Sequence, residues 1–238
     1  MSRGLELVPT ALARPDSLAG GLIAGRGPVA LPRVSDVVRL DPRRALLSVD
    51  SFGTTSPEVA TRLERVLNGE GFVVTTGQQP VLFTGPLYVV YKALTAIELA
   101  RVLEERLDVP VVPVFWIASD DHDWEEIGQA TILDRQGNLE TIKLGPTSGF
   151  EGRAAGSAPL GPPVSSLLLR LSELVPANEF TDHYLELFRR SYTPERSVGE
   201  AFAGSLTGLL DGFDFAWLDA ADPGVKRASR PFFQRMFE

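Results

Sequence analysis

Cysteine is absent from this 238-residue chain, which removes disulfides, thiolate metal sites and cysteine nucleophiles from consideration. Histidine is almost as scarce: the chain holds 2, His122 and His183, too few for a histidine-rich metal centre. Positive charge is in deficit, with 23 Lys plus Arg against 31 Asp plus Glu and a net charge of −8. Bulk electrostatics therefore does not favour a nucleic-acid backbone or an anionic membrane as partner, and any phosphate has to be held locally. Long apolar runs are missing as well. Val109 to Ala118 is far too short to span a bilayer. Glu6, Pro9, Arg14, Pro15 and Asp16 interrupt the apolar stretch a signal peptide needs, so the expected address is the cytoplasm.

What is present suits a folded domain. A chain of this length with 44% hydrophobic residues can bury a substantial core without staples, as one large or two small domains. Residues 1 to about 50 are rich in Pro, Gly, Ala and Arg without a sustained period, and only Val34–Leu40 and Ala45–Val49 have the makings of short strands or turns. An irregular arm is expected over 1–55 and a core over 56–238. Ser56-Pro57-Glu58 opens a helix, with Ser as cap and Pro in the first helical position, and Asn68-Gly69 ends it.

Phe72–Thr76 reads as a short buried strand that gives way to a loop at Gly77-Gln78-Gln79-Pro80. From Pro86 to about Arg106 the pattern is helical, with Leu87, Val90, Tyr91, Leu94 and Ile97 as its apolar stripe. Val111–Ile117 is apolar on both faces, as an inner parallel strand should be. Pro113 within it argues for a bulge or an edge position. Strand, helix and strand at these lengths make a βαβ unit. Further on, Gln129–Asp134 and Asn138–Lys143 flank a turn and read as an appended hairpin. Residues 145–163 read as a loop or lid, and helical patterns follow near 164–175, 179–190 and 198–210. Phe213–Asp219 reads as another strand. The chain closes on an apparent helix over 230–238 with neither cap nor glycine stop, so the core is expected to be incomplete within these residues. The fold class is α/β: a Rossmann-like open, mainly parallel sheet flanked by helices.

Two constellations carry chemistry. In open α/β sheets ligands settle beyond the carboxyl ends of the strands, where Gly77, Gln78 and Gln79 supply close backbone approach and paired amides. Gly85-Pro86 offers free N–H groups at a helix start, and Lys92, with Tyr88 one turn before it, either reaches back or extends into water. The alternative is an ordinary turn and helix start. The second constellation is Ser119-Asp120-Asp121-His122-Asp123. A carboxylate beside His122 can fix its tautomer and make a general acid/base pair, or the acids can hold Mg²⁺ or a substrate ammonium. Alternatively the acids only cap a short helix. Crowded like charges need a cation, a ligand or protonation to offset them. His183 reads as a helical surface residue, the Tyr192-Thr193-Pro194 hydroxyls as able to line the cleft, and Asp222-Pro223 as a helix cap.

The string Thr75-Thr76-Gly77-Gln78-Gln79-Pro80 … Gly85-Pro86-Leu87-Tyr88 … Tyr91-Lys92-Ala93, followed by Val109–Trp116 and Asp121-His122-Asp123, resembles the cysteine ligase family of bacillithiol biosynthesis. The likeness is close over about 72–127 and looser through Tyr192-Thr193-Pro194 and Leu218–Lys226. It implies a Rossmann-like core and addition of L-cysteine to the amine of glucosaminyl-malate, the last step to bacillithiol. By the same likeness Asp121, His122 and Asp123 are the catalytic group, and Gly77, Gln78, Gln79, Gly85, Tyr88, Lys92 and Asp120 bind substrate or cofactor. Amide formation needs an activated carboxyl, so ATP or another nucleotide, with Mg²⁺, is a possible cofactor. Family members are longer and carry a coiled coil that implies a homodimer. Asp120 stands where the family usually has glutamate, and Val81 where it has a small residue, often glycine. The alternative to a ligase is a catalytically incomplete domain that binds a nucleotide or a sugar phosphate.

Overall fold

A computed structural model describes residues 47–236 except 155 and 157, with side chains as far as Pro231. Most of the irregular arm expected over 1–55 lies outside the described residues, as does the end of the chain at 237–238. Within 47–55 a 3₁₀ turn, Val49–Ser51, leads into a two-residue strand, β1 (Gly53–Thr54). Helix α1 (Pro57–Arg65) starts where the sequence places it: the Ser56 hydroxyl accepts from the Val59 N–H at 3.2 Å, and Pro57 occupies the first turn. Its Val59 and Leu63 are buried, and Gly69 reverses the chain at φ 86°.

Strands β2 (Phe72–Gln78), β3 (Val111–Ile117) and β6 (Ala216–Asp219) are parallel, and β1 closes the sheet antiparallel to β6, in the order β1-β6-β3-β2. Between β2 and β3 runs α2 (Tyr88–Leu107), which completes the expected βαβ unit. β2 continues to Gln78, so Gly77 and Gln78 belong to the strand and the loop begins only at Gln79. Pro113 makes neither a bulge nor an edge: its register with Val74 is unbroken and β3 is an inner strand. Pairing with β6 starts one residue later, at Val114, so Pro113 has a neighbouring strand on one side alone and its missing N–H costs little.

Alternation along β3 separates two apolar layers. Phe115 and Ile117 pack with Val89 and Ala93 of α2 and with Phe202 and Leu206 of α6 (Val198–Leu209). Val112 and Val114 pack on the other face with Val59 and Leu63 of α1 and Val225 of α7 (Pro223–Met236). Burying a side chain such as Leu63 completely contributes roughly 1.5–3 kcal/mol. The stripe expected on α2 is rotated. Its buried residues are Val89, Ala93, Ala96 and Ala100, while Leu87 and Tyr91 are 63% and 58% exposed. A helix laid directly on a sheet brings small side chains closest, and the bulky ones move to the flanks.

A further core forms from the segments that leave the carboxyl ends of β2 and β3. Leu82 and Phe83 meet Ile127 of the short helix α3 (Trp124–Ile127), Ile142, and α4 (Pro163–Leu174) and α5 (Thr181–Ser191). The hairpin β4 (Gln129–Leu133) and β5 (Leu139–Lys143) is present but makes a two-stranded sheet of its own. Arg135 anchors its turn to α4 by donating to the Val175 carbonyl at 3.1 Å. The described residues of 145–162 form a loop, pinned rather than free: the Leu160 and Gly161 N–H groups donate to the Arg196 and Pro194 carbonyls. Opposite the carboxyl edge, Arg62 of α1 donates to the Val111 carbonyl at 2.8 Å and pairs with Glu104 of α2, whose carboxylate accepts from the Val111 N–H at 2.7 Å. Among the described residues no helix is long and apolar enough to cross a membrane.

Candidate active site

The registers Gln78↔Ile117 and Ile117↔Asp219 set the carboxyl ends of the three parallel strands level. The glutamine loop and the acidic loop thus leave the same edge, and they meet. Gln79 Nε2 donates to Asp121 Oδ2 at 2.5 Å and to Glu126 Oε2 at 3.1 Å. Gln78 turns the other way, with Oε1 accepting from Lys92 Nζ at 3.0 Å. Lys92 reaches back along α2 to do this, donates also to the Gly77 carbonyl at 2.6 Å, and lies 5.7 Å from the ring centre of Tyr88. Tyr88 is half exposed.

The acidic loop divides its side chains among separate duties. Asp121 accepts from Gln79 through one oxygen and from the Asp123 N–H through the other, at 3.0 Å. The Gln79 amide first, and the Asp123 N–H next, hold its carboxyl below the usual carboxylate range, which keeps it ionised at neutral pH. Asp123 caps α3, its Oδ1 accepting from the Glu125 and Glu126 N–H groups, so the capping alternative holds for this residue. Asp120 forms an ion pair with Lys226 at 2.7 Å. The His122 side chain is exposed, and among the described residues none hydrogen-bonds its imidazole. A carboxylate that fixes its tautomer, one of the alternatives read from the sequence, is not found among the described residues.

Both glycines of the motif are set by the protein's own neighbours. A Cβ on Gly77 would sit 2.6 Å from the Trp116 carbonyl oxygen, so contact with β3 excludes any larger residue there. Gly85 has φ +70°, and a Cβ there would lie 3.1 Å from Val81; the Val81 side chain fills the space that a smaller residue would leave open. No side chain caps the start of α2. Just before it, Phe83 (φ 54°) and Thr84 (φ 68°) hold left-handed conformations that cost non-glycine residues about 1–3 kcal/mol each. Tyr192 steadies this turn, its hydroxyl accepting from the Phe83 N–H at 2.6 Å. With 1% exposure it does not line the cleft, and burial pushes its phenol well above the usual range. His183 is exposed, against the ring of Tyr184.

The sequence sets Asp219 at the end of the last strand but gives it no role in the site. At the end of β6 its Oδ1 accepts from the Ala221 N–H at 2.8 Å and from the buried hydroxyl of Ser119. Burial pushes its carboxyl up, against the lowering effect of those two donors. Asp222 accepts from the Gly224 and Val225 N–H groups and caps α7 as expected. Beside Asp219 opens a cavity of about 790 Å³, whose lining includes neither Gln79 nor Asp121 nor His122.

At this edge carboxylates predominate and two lysines are already engaged, Lys92 by the Gly77 carbonyl and the Gln78 amide oxygen and Lys226 by Asp120. Among the described residues no three acids or histidines are arranged to hold a metal ion.

The chain matches the family described as "Bacillithiol biosynthesis BshC, N-terminal Rossmann-like domain" over residues 44–238. Curated relatives carry the name "Putative cysteine ligase BshC". The protein of Chlorobium phaeobacteroides is 30% identical over 77% of this chain and 32% of its own length. That of Symbiobacterium thermophilum is 36% identical over 71% and 32%, and that of Heliobacterium modesticaldum 34% identical over 82% and 36%. The chain spans about a third of the length of these relatives.

Proposed function

Since the chain belongs to the bacillithiol biosynthesis BshC family, matching its N-terminal Rossmann-like domain, we propose that it forms the substrate-handling edge of a cysteine ligase. The reaction joins the L-cysteine carboxyl to the amine of glucosaminyl-malate. The amine nitrogen bonds to the carboxyl carbon, the bond from that carbon to its leaving group breaks, and a proton leaves the nitrogen. Activation of the carboxyl is not assigned to these residues.

The observation that carries the reading is the direct Gln79–Asp121 hydrogen bond, which joins the two loops at one edge of the sheet. Asp121, kept ionised, is suited to hold a substrate ammonium rather than to take up a proton. His122, adjacent and exposed, is the proton acceptor in this scheme. Gln78, fixed by Lys92, presents its amide beside Tyr88. Asp123 shapes the loop by capping α3, and Lys226 holds Asp120 at its rim. Gly77 and Gly85 act through the backbone.

The test is turnover of cysteine and glucosaminyl-malate by the complete protein. His122→Ala should lower kcat by about 10²-fold or more, the usual scale for a general base, with unchanged circular dichroism. Undiminished turnover removes His122 from the scheme. That no carboxylate among the described residues hydrogen-bonds the His122 ring favours, as second reading, a binding domain that is catalytically incomplete. Calorimetric binding of glucosaminyl-malate without turnover by the complete protein supports it.

A further inference from the structure

The cavity beside β6 lies at the carboxyl edge where α/β sheets take ligands, and its volume of about 790 Å³ falls in the range of small-molecule sites. We propose that it binds a small organic ammonium ion, a primary amine on a compact polar molecule, at a place separate from the Gln79–Asp121 contact.

Charge sets the ligand class. Asp50, Glu195, Glu200, Asp219 and Asp222 line the cavity against a single guanidinium, Arg196, and that guanidinium already donates to the Ser191 carbonyl. An anion is disfavoured there and a cation attracted. The acids are spread around the wall, and among the described residues no group is gathered to hold a metal ion, which points to an organic cation.

Several of these carboxylates retain acceptor capacity. Glu200 Oε2 accepts from the Ser197 N–H and Asp222 Oδ1 from two N–H groups of α7. Asp219 spends Oδ1 on Ala221 and Ser119, while its Oδ2 has no protein donor among the described residues, and neither Asp50 nor Glu195 has a hydrogen-bond or ion-pair partner among them. The three N–H donors of an ammonium suit such a wall. Gly199 keeps Asp219 Oδ2 open, since a Cβ there would come within 2.8 Å of that oxygen. Trp217, its indole lying over Gly53, also lines the cavity. A half-buried carboxylate with one oxygen unpartnered is the group that gains most from such a ligand.

Calorimetry on the 238-residue chain at pH 7 tests this with two pairs of probes, glucosamine against N-acetylglucosamine and L-serine against N-acetylserine. The expected result is saturable binding of one amine and at least tenfold weaker binding of its acetylated counterpart. The pair that responds tells an amino sugar from an amino acid. Asp219→Asn, which keeps the Oδ1 acceptor, and the exposed Glu195→Gln should each weaken that binding at least threefold. Should Asp219→Asn fail to fold, Glu195→Gln decides. Absence of saturation by either amine, equal binding of an acetylated probe, or unchanged binding in the variants overturns the proposal, as does Mg²⁺ binding in place of the amines. The ligase reading fails or stands separately, because it is read by turnover of the complete protein.

Discussion

Replacing Gln79 by Leu removes the amide that contributes most to holding the Asp121 carboxyl low, so Asp121 should titrate at higher pH in Gln79→Leu. The sign follows from linkage. A folded carboxyl held below its unfolded value adds stability above the ordinary carboxylate range and loses it as pH falls through the folded value. The parent should therefore lose more stability between pH 5 and acid than the variant does, as read by carboxyl carbon NMR and urea unfolding; identical acid limbs would deny the coupling. The residue types of this edge were legible in the sequence because glutamines and aspartates have few reasons to crowd into one loop. Which acid did what was not. Capping by Asp123 and the contact of Asp121 with Gln79 use the same kind of side chain, and only the position of each oxygen separates them.

Among the elements, the turn between β2 and α2 carries strain that the sequence does not announce. Tyr192→Phe removes the acceptor of the Phe83 N–H while keeping the ring, and a buried donor left unpaired costs about 1–3 kcal/mol. Denaturant unfolding should register a loss of that size, and a change below about 0.5 kcal/mol would mean that the turn holds without its clasp. Strand, helix and strand over 72–117 were readable because periodicity and the flanking turn residues agree. The inner face of α2 was not, since closeness to the sheet selects alanines that a count of large apolar residues overlooks. The reach of Lys92 back to Gln78 was left open by spacing alone, which allows it but does not compel it.

For the molecule as a whole, the placement of β6 next to β3 decides the layout of the carboxyl edge. Phe202 stands between α6 and β3, its ring 5.9 Å from that of Phe115, and Phe202→Ala should cost about 3–5 kcal/mol, measured by urea unfolding. A markedly smaller loss would show that α6 does not hold that layer. The parallel sheet was legible from two apolar strands in tandem. The pairing of a strand near residue 216 with one near 115 was not, because nothing local in either segment encodes the other, and the cavity beside Asp219 exists only once they pair. The outer margin of the sheet follows the same logic. The Gln78 carbonyl is taken by Ala118 of the segment after β3, so the Gly77 carbonyl, one residue earlier, faces away from the sheet, and the Lys92 ammonium covers it. A stray strand approaching that flank meets a charge instead of a vacant acceptor, so the lysine that holds Gln78 also guards the protein against sticking to itself.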